Sequence, residues 1–157
     1  FGWGSDYRVN PSFRKKEDVE ALIEGLKNEY IDIIATDHAP HSYEDKKQGS
    51  PGISEIEVAF SMAYKVFKDN DISINKLSKL MSYNPSKILG LNSGLIKEGF
   101  EANLALIDLE DEYKLDTNEF ISKGKNNPFN GYAVNGTVKM TIKRGEILYR
   151  GNLNDNR

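Results

Sequence analysis

Two histidines and an aspartate lie close together, directly after a short apolar segment. Residues 31–36 (IDIIAT) lead into Asp37, His38 and His41. An aspartate can bind a divalent metal or act as a general base, and imidazoles can bind metal or contact substrate. The chain has 2 histidines in all, so any imidazole chemistry must occur here. The grouping favours a functional site.

Structural interpretations of the same residues remain open. An aspartate at the end of a strand is often a turn former or a helix cap, and His38 can simply hydrogen-bond a local carbonyl, which we favour for that residue. Histidines three positions apart in a loop have no fixed geometry, so spacing alone does not assign roles. Asp37 and His41 are therefore the stronger functional candidates.

Periodicity and capping patterns predict the elements that position this site. In α/β proteins, functional residues follow the carboxyl ends of parallel strands, which is where Asp37 would lie. The predicted helices are 16–27 and others that begin near 54, 73 and 84; the predicted strands are 31–36, 104–107 and a hairpin over 138–149.

Local signals set several of these boundaries. Ser54 and Glu57 form a capping-box pattern, which gives Glu57 a structural rather than a catalytic role. Asn84 before Pro85 is typical of a helix N-cap. Residues 126–129 (NNPF) indicate a turn that packs one part of the chain on another. The terminal residues 152–157 are predicted to be disordered.

Composition excludes several classes of function. The 157 residues include 21 Lys+Arg and 24 Asp+Glu, a formal charge of −3, so no basic excess is available for nucleic acid. No apolar run approaches the ~20 residues of a membrane span. The absence of cysteine excludes disulfides and thiol chemistry and suits a reducing compartment. We expect a cytoplasmic protein that binds neither nucleic acid nor membrane.

Six segments together resemble the dihydroorotase family of the amidohydrolase superfamily. The most specific are residues 35–41 (ATDHAPH) and 9–14 (VNPSFR). Hydantoinases and allantoinases share the general layout, but these two strings in combination favour dihydroorotase. The remaining segments agree in order and spacing; they are 46–57, 84–91, 94–108 and 122–129.

The resemblance implies a fold and an activity. Family members combine a metal-dependent TIM (β/α)₈ barrel with a small β-sandwich, so residues 1–91 would be the C-terminal units of the barrel and 92–157 a β-sandwich segment. They catalyse the reversible, zinc-dependent cyclisation of N-carbamoyl-L-aspartate to L-dihydroorotate in de novo pyrimidine biosynthesis. The resemblance implies one or two Zn²⁺ ions and a small-molecule substrate, and it is compatible with a homodimer.

The resemblance also implies roles for four residues. Asp37 matches the aspartate that binds zinc and takes up a proton during ring opening. Asn10 and His41 match residues that hold the substrate, and Gly52 matches a backbone contact to its ring. Glu29 stands where the family usually has glycine, so we expect a strained turn there.

The chain lacks other parts of the family's metal site. The His-x-His pair, the bridging lysine or aspartate and two more histidines lie on earlier strands in the family. A barrel needs ~250 residues, and the chain starts at Phe1 without a signal or transit pattern. We therefore expect a C-terminal portion that relies on the rest of the barrel and is inactive alone. The alternatives are a non-catalytic dihydroorotase-like assembly module and a hydantoinase- or allantoinase-type cyclic amidase.

Overall fold

The computed structural model describes residues 4–151, so the prediction of disorder at 152–157 lies outside the described residues. Helices occupy the first part of the chain and strands the second. The α-helices are α1 (Lys16–Lys27), α2 (Tyr43–Lys47), α3 (Ala59–Asp69), α4 (Ile74–Ser78) and α5 (Asn84–Ile88); the strands are β1 (Leu104–Lys114), β2 (Ala133–Lys143) and β3 (Glu146–Arg150). Within 4–151, no helix is long and apolar enough to cross a membrane.

The first hydrophobic core lies among the helices. Helix α1 has the predicted bounds, and α4 begins as predicted because the Ser73 Oγ atom accepts the backbone N–H of Lys76. One turn of π-helix (Lys79–Tyr83) joins α4 to α5. The buried residues of this core are Leu26, Phe67, Leu77 and Leu80.

The three strands form one antiparallel sheet in the order β1-β2-β3. The strand predicted at 104–107 is confirmed and continues to Lys114, with irregular pairing between Asp108 and Glu112. The predicted hairpin is confirmed as β2 and β3. Its turn residues Arg144 and Gly145 both have positive φ, 51° and 83°, as a tight hairpin turn of matching twist requires.

A second core joins the helical part to the sheet. Helix α3 packs on β2, where the Ser61 hydroxyl donates to the Gly136 carbonyl at 2.7 Å. A methyl group at Gly136 would lie 2.9 Å from the Phe60 ring, so the close approach depends on glycine. The buried residues of this core are Val58, Leu115, Phe120 and Val134. The division of the chain at residue 91 stays a prediction.

The predicted strand at 31–36 is not formed in the structure. A strand requires hydrogen bonds to a neighbouring strand, and residues 31–36 pair with no strand among residues 4–151. The helical region contacts this segment instead. The Ile34 N–H donates to the Leu80 carbonyl at 3.1 Å, and the Asn84 side chain donates to the Asp32 carbonyl at 2.7 Å.

Both side-chain caps predicted for the later helices are wrong. Helix α3 begins at Ala59, so Ser54 and Glu57 precede it, and Glu57 binds Ser122 instead. Helix α5 continues directly from the π-helical turn, so Asn84 is already inside helical structure. In both places a hydrogen bond to a residue distant in the chain replaces the local cap.

Candidate functional site

Asp37 follows segment 31–36 at the point where the chain turns into a loop. Its φ is 47°, a left-handed backbone conformation that aspartate tolerates better than most residues do. The side chain is exposed, and its carboxylate makes no hydrogen bond or ion pair with any other residue from 4 to 151. Both oxygens are therefore free to bind a ligand or accept a proton.

His38 is held by the backbone that precedes α3. Its Nδ1 atom accepts the N–H groups of Glu55 at 2.9 Å and Ile56 at 3.1 Å. Because Nδ1 is an acceptor, the neutral ring carries its proton on Nε2. That atom lies 3.4 Å from the Ser122 hydroxyl. The structural role predicted for His38 fits this geometry, although the partners are N–H groups rather than a carbonyl.

Glu57 and Ser122 extend this contact to the surface. The Glu57 carboxylate accepts the Ser122 backbone N–H at 2.8 Å and its hydroxyl at 2.9 Å. Partial desolvation acts to raise the pKa of Glu57, but these hydrogen bonds outweigh it and hold the pKa below its ordinary value. Desolvation raises the pKa of the neighbouring half-buried Glu55, partly offset by His38.

His41 projects toward the loop that carries Gly52. Its Nε2 atom lies 3.0 Å from the Pro51 carbonyl, which requires the proton on Nε2. Its backbone N–H donates to the Asn126 side-chain oxygen at 2.7 Å. The ring and the backbone of His41 are therefore fixed by two different segments of the chain.

Gly52 lies in close contact with the His41 loop. Its φ is +141°, and a methyl group there would lie 2.5 Å from the Ala39 Cβ atom and 3.1 Å from His41 Nε2. Its N–H donates to the Arg8 carbonyl at 3.0 Å. Its carbonyl accepts hydrogen bonds from Lys46 Nζ at 2.9 Å and Asn126 Nδ2 at 3.0 Å. Gly52 is thus the point at which three segments meet.

Lys46 is a buried cation beside this junction. Lys46 is 1% exposed, and its Nζ atom donates to the carbonyls of Arg8 and Gly52, each at 2.9 Å. Desolvation lowers the pKa of Lys46, although the Asp6 carboxylate opposes that effect. The sequence placed Lys46 in a family segment but did not reveal that it is buried.

Asn10 makes no side-chain hydrogen bond to this junction in the part of the chain that the structure describes. It is exposed, and it follows Arg8, whose carbonyl binds Gly52 and Lys46. Further along, Phe13 packs edge-on against Phe129 with ring centroids 6.2 Å apart. The structure therefore brings His41 and Gly52 into contact, holds the segment of Asn10 beside them, and leaves Asp37 without a bond to the other three.

Asn126 was missed as a site residue. Sequence patterns predicted only a turn at 126–129, and nothing in the sequence shows that it reaches the loops near His41 and Gly52. The residue is 8% exposed. Asn127, next to it, donates to the Ser54 carbonyl at 2.9 Å and is 7% exposed. Both asparagines join the strand-rich part of the chain to the site loops, as the predicted turn implied in general terms.

The described residues supply one candidate ligand for a metal rather than a complete site. The Asp37 oxygens suit zinc, but a catalytic zinc ion needs about three protein ligands. The part of the chain from 4 to 151 contains no group of three or more His, Asp or Glu side chains that could hold a metal. Both imidazoles also point at partners elsewhere. Asp37 therefore fits as one ligand of a shared site.

The family model described as "Amidohydrolase family" matches residues 8–148, and the chain belongs to that family. Its curated relatives include dihydroorotases. This chain is 52% identical over 147 residues to the dihydroorotase of Clostridium botulinum, and the match covers 93% of this chain and 37% of that protein. It is 45% identical over 155 residues to the dihydroorotase of Thermoanaerobacter sp., covering 96% and 36%. The resemblance to dihydroorotase is confirmed.

Solved structures of related enzymes share the fold. L-hydantoinase (dihydropyrimidinase) from Arthrobacter aurescens superposes with a TM-score of 0.85 at 28% identity, over 94% of this chain and 38% of that one. Dihydropyrimidinase from Brevibacillus agri gives 0.87 at 24% identity, over 93% and 34%. The chain thus spans little more than a third of the proteins it matches. Family and neighbours imply a piece of a TIM-barrel-type fold, seen here as an α/β unit with a three-stranded sheet.

Proposed function

We propose that this chain is the C-terminal portion of a dihydroorotase, which interconverts N-carbamoyl-L-aspartate and L-dihydroorotate. The observation that carries the proposal is the free Asp37 carboxylate beside the His41 loop, in a chain 52% identical to a dihydroorotase over 147 residues. We call the longer polypeptide that would contain this chain the full-length enzyme. It would act in the cytoplasm, in pyrimidine biosynthesis.

Asp37 is the residue that moves the proton in this proposal. During ring opening, its carboxylate oxygen takes a proton from the attacking water and passes it to the ring nitrogen as the amide bond breaks; during ring closure, the same oxygen takes the proton from that nitrogen and returns it to the departing water. The exposed carboxylate is available for this role because it has no partner among residues 4–151. Asp37 would also be one ligand of Zn²⁺, which when bound supplies Lewis acidity to the amide carbonyl.

Asn10, His41 and Gly52 would hold the substrate. The substrate carries two carboxylates in its open form and one in its ring form, so neutral hydrogen-bond donors suit it. The Asn10 amide is exposed and can donate, and the His41 Nε2–H, which bonds the Pro51 carbonyl, would donate to substrate by sharing that bond. Both backbone polar groups of Gly52 already have partners. A hydrogen bond between the Gly52 backbone and the substrate ring would therefore share one of these groups with its present partner.

The remaining ligands and walls of the site would come from the rest of the barrel. Residues 1–91 would form its last units and 92–157 a segment of the β-sandwich. This arrangement explains why large apolar side chains are exposed on β1, on β3 and after α5; examples are Leu106, Leu148 and Leu89, at 55, 63 and 70%. The isolated chain would be inactive. A homodimer of the full-length enzyme is compatible with these surfaces.

A cyclic amidase of the hydantoinase type is the second candidate, because the solved structures that match the fold include hydantoinases. A non-catalytic assembly module is the third, and the lack of a three-ligand group in 4–151 favours it. Retention of Asn10, Asp37 and His41 favours the enzyme over that module.

Substrate preference separates the three. We would assay the zinc-loaded full-length enzyme with L-dihydroorotate, which carries a ring carboxylate, and with hydantoin, which does not. The proposal predicts turnover of dihydroorotate and at least a hundredfold lower kcat/KM for hydantoin. The reverse preference would establish the hydantoinase-type alternative, and no turnover of either would favour the assembly module.

A further inference from the structure

We propose that Asn126 is a positioning residue for substrate binding, which fixes His41 relative to Gly52. The inference rests on the proposed function, because it assigns Asn126 to the same site. Asn126 lies 85 residues beyond His41 and 74 beyond Gly52, in the segment after the helical region. It would act through these two residues rather than touch the reacting atoms.

The Asn126 side chain uses its oxygen and its amide group on different loops. Its Oδ1 atom accepts the His41 backbone N–H at 2.7 Å, while Nδ2 donates to the Gly52 carbonyl at 3.0 Å and the Ala39 carbonyl at 3.3 Å. An asparagine amide offers two donors and one acceptor oxygen, so this set uses both sides of the group. A shift of either loop would break a bond to Asn126.

The backbone around Asn126 reinforces this arrangement. Its carbonyl accepts the N–H of Ser54 at 2.9 Å, two residues after Gly52. At Gly124, a methyl group would lie 2.6 Å from the backbone nitrogen and 2.7 Å from the backbone oxygen of His41. Segment 124–126 therefore lies so close to the His41 backbone that only glycine fits at 124, and it also bonds to that backbone.

The two loops depend on such contacts because neither belongs to a helix or a strand. Residues 37–41 precede α2, and residues 49–55 lie between α2 and α3. One backbone hydrogen bond, from Ala39 N–H to the Ile53 carbonyl at 2.9 Å, joins them directly. Small displacements of a substrate-binding group cost binding free energy. Asn126 thus sets the separation between His41 and Gly52, on which the proposed substrate contacts depend.

Asn127 provides a matched control. It is the adjacent residue, equally buried, and its side chain also makes a donor and an acceptor bond, to the Ser54 carbonyl and from the Phe129 N–H. Its side chain makes no hydrogen bond to His41, Ala39 or Gly52 among the described residues. Asn126→Ala and Asn127→Ala therefore remove comparable polar groups from comparable environments. They differ in that Asn126 bonds His41 and Gly52 themselves, whereas Asn127 bonds the 49–55 loop at Ser54.

The experiment measures kcat and KM for L-dihydroorotate in the zinc-loaded full-length enzyme and its variants. Asn126→Ala is expected to raise KM about ten- to a hundredfold while kcat changes less than KM. Gly124→Ala should raise KM in the same direction, because its methyl group would lie 2.6 Å from the His41 backbone nitrogen and 2.9 Å from Asn126 Oδ1, the two atoms of that hydrogen bond. Asn127→Ala should leave KM within about twofold, even where its melting temperature falls as far as that of Asn126→Ala.

A second readout is independent of catalysis. Hydrogen exchange at the His41 amide should accelerate at least tenfold in Asn126→Ala and stay unchanged in Asn127→Ala. Equal KM effects in the two asparagine variants, or unchanged KM and unchanged His41 exchange in Asn126→Ala, would overturn the inference. If the unaltered enzyme did not turn over dihydroorotate, the proposed function would fail, whereas faster His41 exchange would still support the structural part of the inference.

Discussion

The Lys46 side-chain nitrogen donates a hydrogen bond to the Gly52 carbonyl at 2.9 Å, and Lys46 as a whole is 1% exposed. The same nitrogen binds the Arg8 carbonyl at 2.9 Å, so it joins the N-terminal segment to the Gly52 loop. Two carbonyls are the hydrogen-bond partners of Nζ in the part of the chain that the structure describes. A neutral amine has two N–H donors, which is the number that this arrangement requires.

Lys46 should therefore make stability depend on alkaline pH. Desolvation lowers its pKa below 10.5, so the unfolded chain holds more protons than the folded one between the two values. The free energy of unfolding should rise as pH increases through the lowered pKa and level off above 10.5. Lys46→Met should remove this rise and, at the alkaline end, cost about 1–3 kcal/mol for the two lost hydrogen bonds.

Urea unfolding of the full-length enzyme over an alkaline pH series provides the measurement. Lys47→Met is the control, because Lys47 is exposed and lies over the Tyr43 ring. It should keep the pH dependence of the unaltered enzyme. The same slope in Lys46→Met and the unaltered enzyme would show that the buried amine is not its origin.

Glu57 should contribute stability that is lost in acid. Partial desolvation raises its pKa, but the hydrogen bonds from Ser122 lower it more, so the net pKa lies below 4.5. The folded state then holds fewer protons than the unfolded state. The contribution is complete above 4.5 and disappears as pH falls through the lowered pKa.

Glu57→Gln tests this effect because the glutamine oxygen can still accept from Ser122 but does not titrate. Its unfolding free energy should fall less steeply with acidification than that of the unaltered enzyme. Glu119→Gln removes an exposed negative charge from the neighbouring segment and should keep the original slope. Parallel acid profiles for Glu57→Gln and the unaltered enzyme would contradict the assignment.

Glu29 should be a site of backbone strain. Its φ is 62°, as the glycine usually found there in the family led us to expect. A side chain in this conformation costs about 1 kcal/mol of stability relative to glycine. Glycine's greater conformational freedom in the unfolded chain offsets part of that difference. Glu29→Gly should therefore raise the free energy of unfolding by about 0.5 kcal/mol.

Glu29→Ala separates strain from charge. It removes the ion pair with Lys76, in which the atoms are 3.9 Å apart and the Glu29 side chain is 70% exposed, but it keeps the Cβ atom. Chemical denaturation should show no gain for this variant. Equal stabilisation by alanine and glycine would mean that the carboxylate, not the backbone, is the source of the cost.

The sequence predicted features that depend on local pattern. The bounds of α1, the cap at Ser73 and the hairpin of β2 and β3 follow from residues close together in the chain. The failures at Glu57 and Asn84 share one cause, because distant partners replace the local cap at both, whereas the buried Ser54 hydroxyl has no hydrogen-bond partner among the described residues. Segment 31–36 was recognised as apolar, but pairing requires a neighbouring strand.

The candidate site, like the fold, was predictable from the sequence only in part. The string around Asp37 and His41 predicts a site at this loop, because its residue types are themselves the chemical signal, and that assignment stays a prediction. Lys46 and Asn126 could not be assigned in this way. A lysine and an asparagine are usually exposed, and their burial follows from contacts with Gly52 that span 6 and 74 residues.

The most direct test of the proposed function is the turnover of L-dihydroorotate by the full-length enzyme carrying Asp37→Asn. Asparagine matches the shape of aspartate and tolerates the φ of 47° at this position, but it cannot accept the proton. The account predicts that kcat falls by at least about a hundredfold while the far-ultraviolet circular dichroism spectrum is unchanged. Turnover at the unaltered rate by this variant would contradict the role of Asp37 and with it the proposed mechanism.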